Sequence, residues 1–239
     1  MSLRVSIIVP VYNEGDLVIP LLERILDTVT MPCEVLTVYD SPDDTTRPHL
    51  EKLAENDPRL VPTLSAYPPG PAHALRYGFD QATAPVVVVT MADGSDDPDQ
   101  IESLVHLVER GVVIAAASRY MHGGQQVGGP LLKGTLSRLA GLSLYWVARV
   151  GTHDATNSFK AYSRSFVESV RIESTQGFEL GIELVAKARR HRQPVAELPT
   201  IWLDRQSGGS NFQLRAWIGN YFHWYRYAFG PSTRPPTSR

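Results

Sequence analysis

The sequence predicts an α/β fold with a mostly parallel central sheet flanked by helices. Three observations predict it. Short β-branched runs recur at residues 4–9, 34–38, 86–90 and 112–116, and they are apolar on both faces, as strands covered on both sides are. Helical patterns at residues 16–28, 44–55, 72–82 and 98–109 alternate with those runs, the pattern of a parallel sheet. The chain has 239 residues, 43% of them hydrophobic and 20% charged, enough to bury one large core.

The elements follow in order. The first run ends at Pro10 and opens into polar Tyr12-Asn13-Glu14; the second ends at Tyr39-Asp40; the third ends in Met91-Ala92-Asp93-Gly94-Ser95-Asp96-Asp97. Asp97-Pro98 is a helix start, with an N-cap residue before proline at the first helical position. After Gly129 the pattern changes. Residues 130–150 read as a long helix, 159–162 as a short strand, 178–190 as a helix and 195–202 as a strand running into Asp204-Arg205. Ser207-Gly208-Gly209-Ser210 reads as a loop and residues 212–229 as a last helix. The expected organisation is a main domain over 1–211, an aromatic amphipathic helix over 212–230 and a disordered Pro/Ser/Thr/Arg-rich tail over 231–239.

Composition narrows the function. A net charge of -2 provides no global basic field, which argues against nucleic acid as a partner. Cys33 is the only cysteine, so an internal disulfide is excluded and a reducing compartment is expected. The first apolar run is too short for a signal peptide, and no apolar stretch reaches the roughly 18 residues of a spanning helix. Any membrane association is therefore expected to be peripheral, at the cytoplasmic face.

In parallel sheets, ligands bind beyond the carboxyl ends of the strands. That rule selects residues 10–14, 39–44, 91–97 and 118–124. Asp93 is not needed to cap a helix and suits a hard divalent cation, Mg²⁺ or Mn²⁺, shared with phosphate oxygens; Asp97 reads as a cap. Asp40 can accept from a base N–H or a ribose hydroxyl. Neither G-x-G-x-x-G nor G-x-x-x-x-G-K-[ST] occurs, so a nucleotide must be held by side chains. Arg119 and Arg205 each follow a strand and suit bidentate phosphate contact; Lys133, Arg138 and Lys160 add charge nearby. Eight of 21 aromatic residues fall within 212–229, and Trp217, Tyr221, Trp224 and Tyr225 share one helical face. That face reads equally as a bilayer-interface stripe or as a surface docked on the core or on a dimer partner.

These motifs together resemble family-2 glycosyltransferases of the GT-A nucleotide-diphospho-sugar transferase fold, closest to dolichyl- and polyprenyl-phosphate mannosyltransferases. The resemblance rests on seven segments in order: Pro10-x-Tyr12-Asn13-Glu14, Val38-x-Asp40, Ala92-Asp93, Ser118-Arg119-Tyr120, Ser137-Arg138, Asp154-x-x-Asn157-Ser158-Phe159-Lys160 and Asp204-Arg205. It implies that Pro10, Tyr12, Glu14, Val38 and Asp40 hold the nucleoside, and that Ala92 lies beside the donor. It implies Asp93 and the Ser95 position for the metal, Arg119 and Arg205 for catalytic contact with phosphates, and Lys133 and Arg138 for the acceptor phosphate.

Four positions depart from the pattern. Met91 and Tyr39 stand where acids are usual, Ser95 where glutamine is common, and Asn211 where a lysine ends the last loop. Asp96 is a candidate to replace the lost acid.

The implied reaction is inverting transfer of a sugar from a GDP- or UDP-sugar to a polyprenyl phosphate at a membrane surface. An anionic phosphate needs no strong base. A hydroxyl acceptor on a glycan or small molecule does, and Asp154, Glu179 and Glu183 are then the candidates. In that second reading the last helix serves a homodimer. A third reading is a non-catalytic nucleotide-sugar-binding protein.

Overall fold

The computed structural model describes residues 2–128, 131–204 and 214–233; of residues 131–133, 136 and 214–218 it describes the backbone alone. The expected strands and helices of the first half are present. β1 (Val5–Pro10), α1 (Ile19–Thr28), β2 (Cys33–Tyr39), α2 (Arg47–Asn56), β3 (Leu60–Leu64), α3 (Pro71–Gln81) and β4 (Val86–Val89) come first. A 3-10 turn over Pro98–Gln100 then leads into α4 (Ile101–Glu109) and β5 (Ile114–Ser118). Asp97 accepts from Asp99 N, the expected cap. The second half adds β6 (Gln125–Val127), α5 (Leu131–Ser143) with a π-helical turn over Leu144–Ala148, β7 (Lys160–Ser163) and α6 (Arg164–Ser169). It closes with α7 (Leu180–Arg190), β8 (Val195–Pro199), β9 (Ile201–Leu203) and α8 (Leu214–Ala228).

Seven strands form the main sheet in the order β3-β2-β1-β4-β7-β5-β8, parallel except for β7, which runs antiparallel to β4 and β5. Side chains alternate between two faces of β1. Val5, Ile7 and Val9 pack with Leu22, Ile25, Leu104 and Val105 of α1 and α4. Ile8 packs on the other side with Leu75, Phe79, Leu184 and Trp224. The result is a helix–sheet–helix sandwich with its polar loops at the carboxyl ends of the parallel strands.

The run expected as one strand over 195–202 divides at Thr200. β8 joins the main sheet, while β9 pairs with β6 in a separate parallel ribbon. That ribbon sits over the loop after β4: Leu203 N donates to Ser95 O at 3.2 Å and Gln100 Nε2 to Pro199 O at 2.7 Å.

The last helix resolves the open choice for the aromatic stripe. Trp224 is buried at 4% exposure, Ala228 at 0%, and Tyr221 and Tyr225 are partly covered in the same cluster. The Lys187 ammonium lies 5.0 Å above the Trp224 ring, the Arg190 guanidinium 4.1 Å above Tyr227, and Tyr225 Oη is 2.9 Å from Ser143 Oγ. The stripe docks on α7 and the turn after α5; the side chain of its fourth member, Trp217, lies outside the described residues. Residues 231–233 of the expected tail are held as well. Pro231 O accepts from Arg190 Nε at 2.9 Å, and Thr233 N donates to Arg190 O at 2.8 Å. Residues 234–239 lie outside the described residues.

Candidate active site

The loops after β1 and β2 are tied to each other. Asn13 takes a left-handed turn at φ 52°, which presents its N–H to Asp44 Oδ1 and Oδ2 at 3.2 and 3.1 Å. Its side-chain Oδ1 accepts from Thr45 N at 3.1 Å, and Glu14 N donates to Thr46 Oγ1 at 2.9 Å. Asp44 is 3% exposed and also accepts from Thr46 N at 2.8 Å. Asp44 thereby locks the two loops together. Sheet pairing sets Pro10 in register with Val38, two residues before half-buried Asp40. Asp40 Oδ2 accepts from Gly70 N at 2.9 Å, which fixes the carboxylate at the start of α3. Tyr12 projects outward at 56% exposure, so an aromatic face stands at the rim.

The loop after β4 presents Asp93. Ser95 lies beneath it at 3% exposure and donates to Asp93 Oδ1 from both Oγ, at 2.6 Å, and N, at 3.1 Å. A groove of about 260 Å³ runs past Ala92, Asp93 and Gly94 toward Leu17, Leu21 and Arg24 of the α1 side. Asp96 does not replace the missing acid at Met91. It turns inward at 4% exposure and accepts from Thr90 Oγ1 and Met91 N, both at 3.1 Å. Burial pushes its carboxyl up to about 7. Among the described residues no three His, Cys, Asp or Glu side chains gather as a metal cage. A cation here would rest on Asp93 and on phosphate oxygens, which is a normal arrangement for Mg²⁺.

Arg119 and Asp154 form a second cluster, just past the end of β5. Arg119 Nε and Nη2 donate to Asp154 Oδ2 and Oδ1 at 2.7 and 2.9 Å, and Arg119 N donates to Oδ2 at 3.1 Å. Thr156 Oγ1 and Asn157 N supply two further hydrogen bonds to Oδ1. Asp154 is fully buried; burial alone would raise its pKa, but the guanidinium charge and hydrogen bonds outweigh it and hold the carboxyl below its usual range. The guanidinium lies between Tyr120 and Trp202, with its carbon 4.9 and 5.8 Å from the two ring centroids. Nη1 has no hydrogen-bond partner among the described residues. Ser137 of α5 reaches the same cluster through Thr156, Oγ to Oγ1 at 2.8 Å. A Cβ on Gly141 would run into His153 O, so glycine lets α5 lie this close.

The carboxylates considered as bases are all committed elsewhere. Asp154 holds Arg119. Glu179, 1% exposed, accepts from Gln176 N and Gly177 N; Glu183, 0% exposed, binds Ser174 and Lys187. Arg138 is exposed on α5 beside Ser137. Arg205, Asn211 and the Ser-Gly-Gly-Ser loop lie outside the described residues, as does the Lys133 side chain.

Lys160 is buried in β7 and donates to Ala155 O at 3.2 Å and to Asn157 O, pinning the turn that carries Asp154. Burial pushes its ammonium down to about 8, against the attraction of Asp154. The unfolded chain therefore binds the extra proton between pH 8 and 10.5, and stability attributable to this group rises with pH across that window. Measured by denaturation, the stability of the wild type relative to Lys160→Met should increase from pH 8 to 10.5, by up to about 3 kcal/mol.

Loops gathered at the carboxyl ends of a mostly parallel sheet, with Asp93 on a groove and a buried Arg119–Asp154 pair nearby, fit the GT-A glycosyltransferase fold. The chain belongs to glycosyl transferase family 2, whose model matches residues 6–171. Among curated relatives, polyprenol monophosphomannose synthase of Mycolicibacterium smegmatis is 29% identical over 218 residues, covering 87% of this chain and 80% of its own length. Dolichol-phosphate mannosyltransferase of Pyrococcus furiosus is 27% identical over 94% of this chain and 63% of its own length. Among solved structures, glucosyl-3-phosphoglycerate synthase of Mycobacterium tuberculosis, in complex with Mn²⁺, UDP and glucosyl-3-phosphoglycerate, aligns with a TM-score of 0.68 at 17% identity, covering 97% of this chain and 82% of that one. A mannosyltransferase of Pyrobaculum calidifontis, in complex with GDP-Man and Mn²⁺, aligns with a TM-score of 0.65 at 20% identity, covering 98% and 66%.

Proposed function

We propose that the protein moves a hexose from a GDP- or UDP-sugar to a polyprenyl phosphate, with inversion at the anomeric carbon. The acceptor phosphate oxygen attacks C1 as the bond from C1 to the nucleoside diphosphate breaks. The observation that carries the reading is that the three carboxylates considered as bases are all buried and committed, while the loops hold Asp93 on a groove and Arg119 close by. Asp154, Glu179 and Glu183 are each buried and already accept two or more hydrogen bonds. A sugar hydroxyl would need one of them. A phosphate acceptor is already anionic, and the curated relatives named above are lipid-phosphate mannosyltransferases.

In this reading Pro10, Tyr12, Glu14, Val38 and Asp40 take the nucleoside, and Ala92 borders the sugar. Asp93 is the protein's ligand to Mg²⁺ or Mn²⁺, which would neutralise charge on the leaving diphosphate. Ser95 holds Asp93 in place through its hydroxyl. Arg119 offers Nη1 to a phosphate, with Arg205, Lys133 and Arg138 as further cations. Residues 1–211 act as the transferase domain and the helix over 212–230 as its brace.

A thermal-shift screen of GDP and UDP, each with and without Mn²⁺, tests the donor side. One nucleotide should raise the melting temperature, more so with metal. A flat response to both nucleotides would reject the nucleoside pocket.

A further inference from the structure

We propose that the end of α5, its π-helical turn and the outer side of α8 form one surface that rests on an anionic lipid bilayer. The inference rests on the lipid acceptor proposed above and names the face that meets the lipid. Of the tryptophan and tyrosine stripe, Trp224 is buried and Tyr221 and Tyr225 are partly covered, docked on α7 and the turn after α5. A different set is exposed: Leu139 at 60%, Trp146 at 70% and Val147 at 68% from α5 and its turn, with Phe222 at 57% and Phe229 at 39% from α8 and its end. Exposed aromatic and aliphatic groups gathered on one face mark an interaction surface.

The two halves are joined. Ser143 Oγ meets Tyr225 Oη at 2.9 Å, and the Tyr225 ring lies 6.2 Å from Phe222 and 5.1 Å from Phe229. Trp146 follows Ser143 by less than one helical turn. Its turn is held firmly: Tyr145 stacks on His153 at 3.6 Å, and His153 Nδ1 pairs with Glu197 Oε1 at 2.5 Å. Trp146 is thus presented outward by an anchored segment, and tryptophan favours the headgroup region.

Charge selects the partner. Residues 129–153 contain Lys133, Arg138 and Arg149 and no acid; residues 205–239 contain Arg205, Arg215, Arg226, Arg234 and Arg239 and no acid. These eight cations sit in a chain of net charge -2, so the remaining residues carry -10. Arg226 lies 6.0 Å over the Phe222 ring, which sets a cation beside an apolar anchor. A basic group beside an exposed aromatic, in segments whose sequence carries cations and no acid, matches an anionic membrane surface. No helix among the described residues is long and apolar enough to cross a bilayer, so contact from one side is the geometry that fits. The surface also begins near the chemistry. Leu139 is two residues from Ser137, which touches the Arg119 cluster through Thr156, and Trp146 lies about 14 Å along the helix from Ser137.

Flotation of the full chain with phosphatidylcholine vesicles, with and without phosphatidylglycerol, tests the proposal. The wild type should float with the anionic vesicles, lose binding at high salt and float poorly with neutral ones. Trp146→Ser combined with Phe222→Ser should weaken flotation by roughly tenfold or more at an unchanged melting temperature, and Arg226→Gln should weaken it on anionic vesicles alone. Absence of wild-type flotation, or equal flotation by the double variant, overturns the proposal. So does a dimer that the double variant splits while flotation persists, because the surface then joins two copies of the chain. Turnover of a water-soluble short-chain polyprenyl phosphate, followed on the same preparations, should be equal in both proteins. Its absence in the wild type would count against the acceptor reading and leave the flotation result standing.

Discussion

Asp93→Ala should lower sugar transfer by roughly 100-fold or more, because disturbing even the partners of a metal ligand costs 10- to 100-fold. The loop after β4 offers Asp93 to the groove with Ser95 bracing one of its oxygens. Asp96 provides no substitute, since it faces Thr90 and Met91 N inside the fold. The loss should come with loss of metal-enhanced nucleotide binding, while binding without metal changes little. The melting temperature should stay close to wild type, because Asp93 sits at the loop surface. Ser95→Ala should give a smaller fall of the same kind, as it releases Asp93 without removing it. Undiminished transfer by Asp93→Ala would remove the metal from the account.

Asp154→Ala should cost about 3–5 kcal/mol of stability, because it leaves the Arg119 charge nearly buried without its partner. That is a large part of the about 5–15 kcal/mol available to a folded domain. Arg119→Met should cost less, since it removes the charge and leaves behind a carboxylate that can take up a proton. The double variant Arg119→Met, Asp154→Leu should recover most of the stability while transfer stays lost. This combination separates the two parts the pair plays. Recovery of both stability and transfer would mean that Arg119 only holds the fold together. Denaturant titration and a transfer assay on the same three variants give the comparison.

Much of the fold was legible because its strands are continuous apolar runs and its first helices alternate with them. The exceptions have physical causes. β3 contains Pro62, which suits an edge strand and interrupts the apolar pattern. The run after Pro194 looks like one strand because β8 and β9 share a composition, yet only their pairing partners assign them to different sheets. The antiparallel insertion of β7 leaves no local trace. The aromatic stripe of α8 has the same period whether it faces lipid or protein, so burial alone decides it.

The site was legible one loop at a time. Asp40, Asp93 and Arg119 each stand at a strand end, where the parallel sheet puts its ligands. What the sequence did not disclose is how they pair. Arg119 and Asp154 lie 35 residues apart, and each had been given a separate task, phosphate contact and base. The bond from Asn13 N to Asp44 crosses between two loops 31 residues apart and leaves no local mark in the sequence. Lys160 lies within a short strand, and its bonds to two carbonyls of the preceding turn depend on β7 folding back between β4 and β5.

The most direct test of the account is transfer itself. Purified protein is incubated with radiolabelled GDP- or UDP-hexose, Mn²⁺ and a polyprenyl phosphate in detergent, and the organic phase is counted. The account predicts label in a lipid-linked product that mild acid releases as free sugar, with formation dependent on Asp93 and Arg119. Label appearing only on a glycan or small-molecule hydroxyl, or donor binding with no transfer to any acceptor, would contradict it.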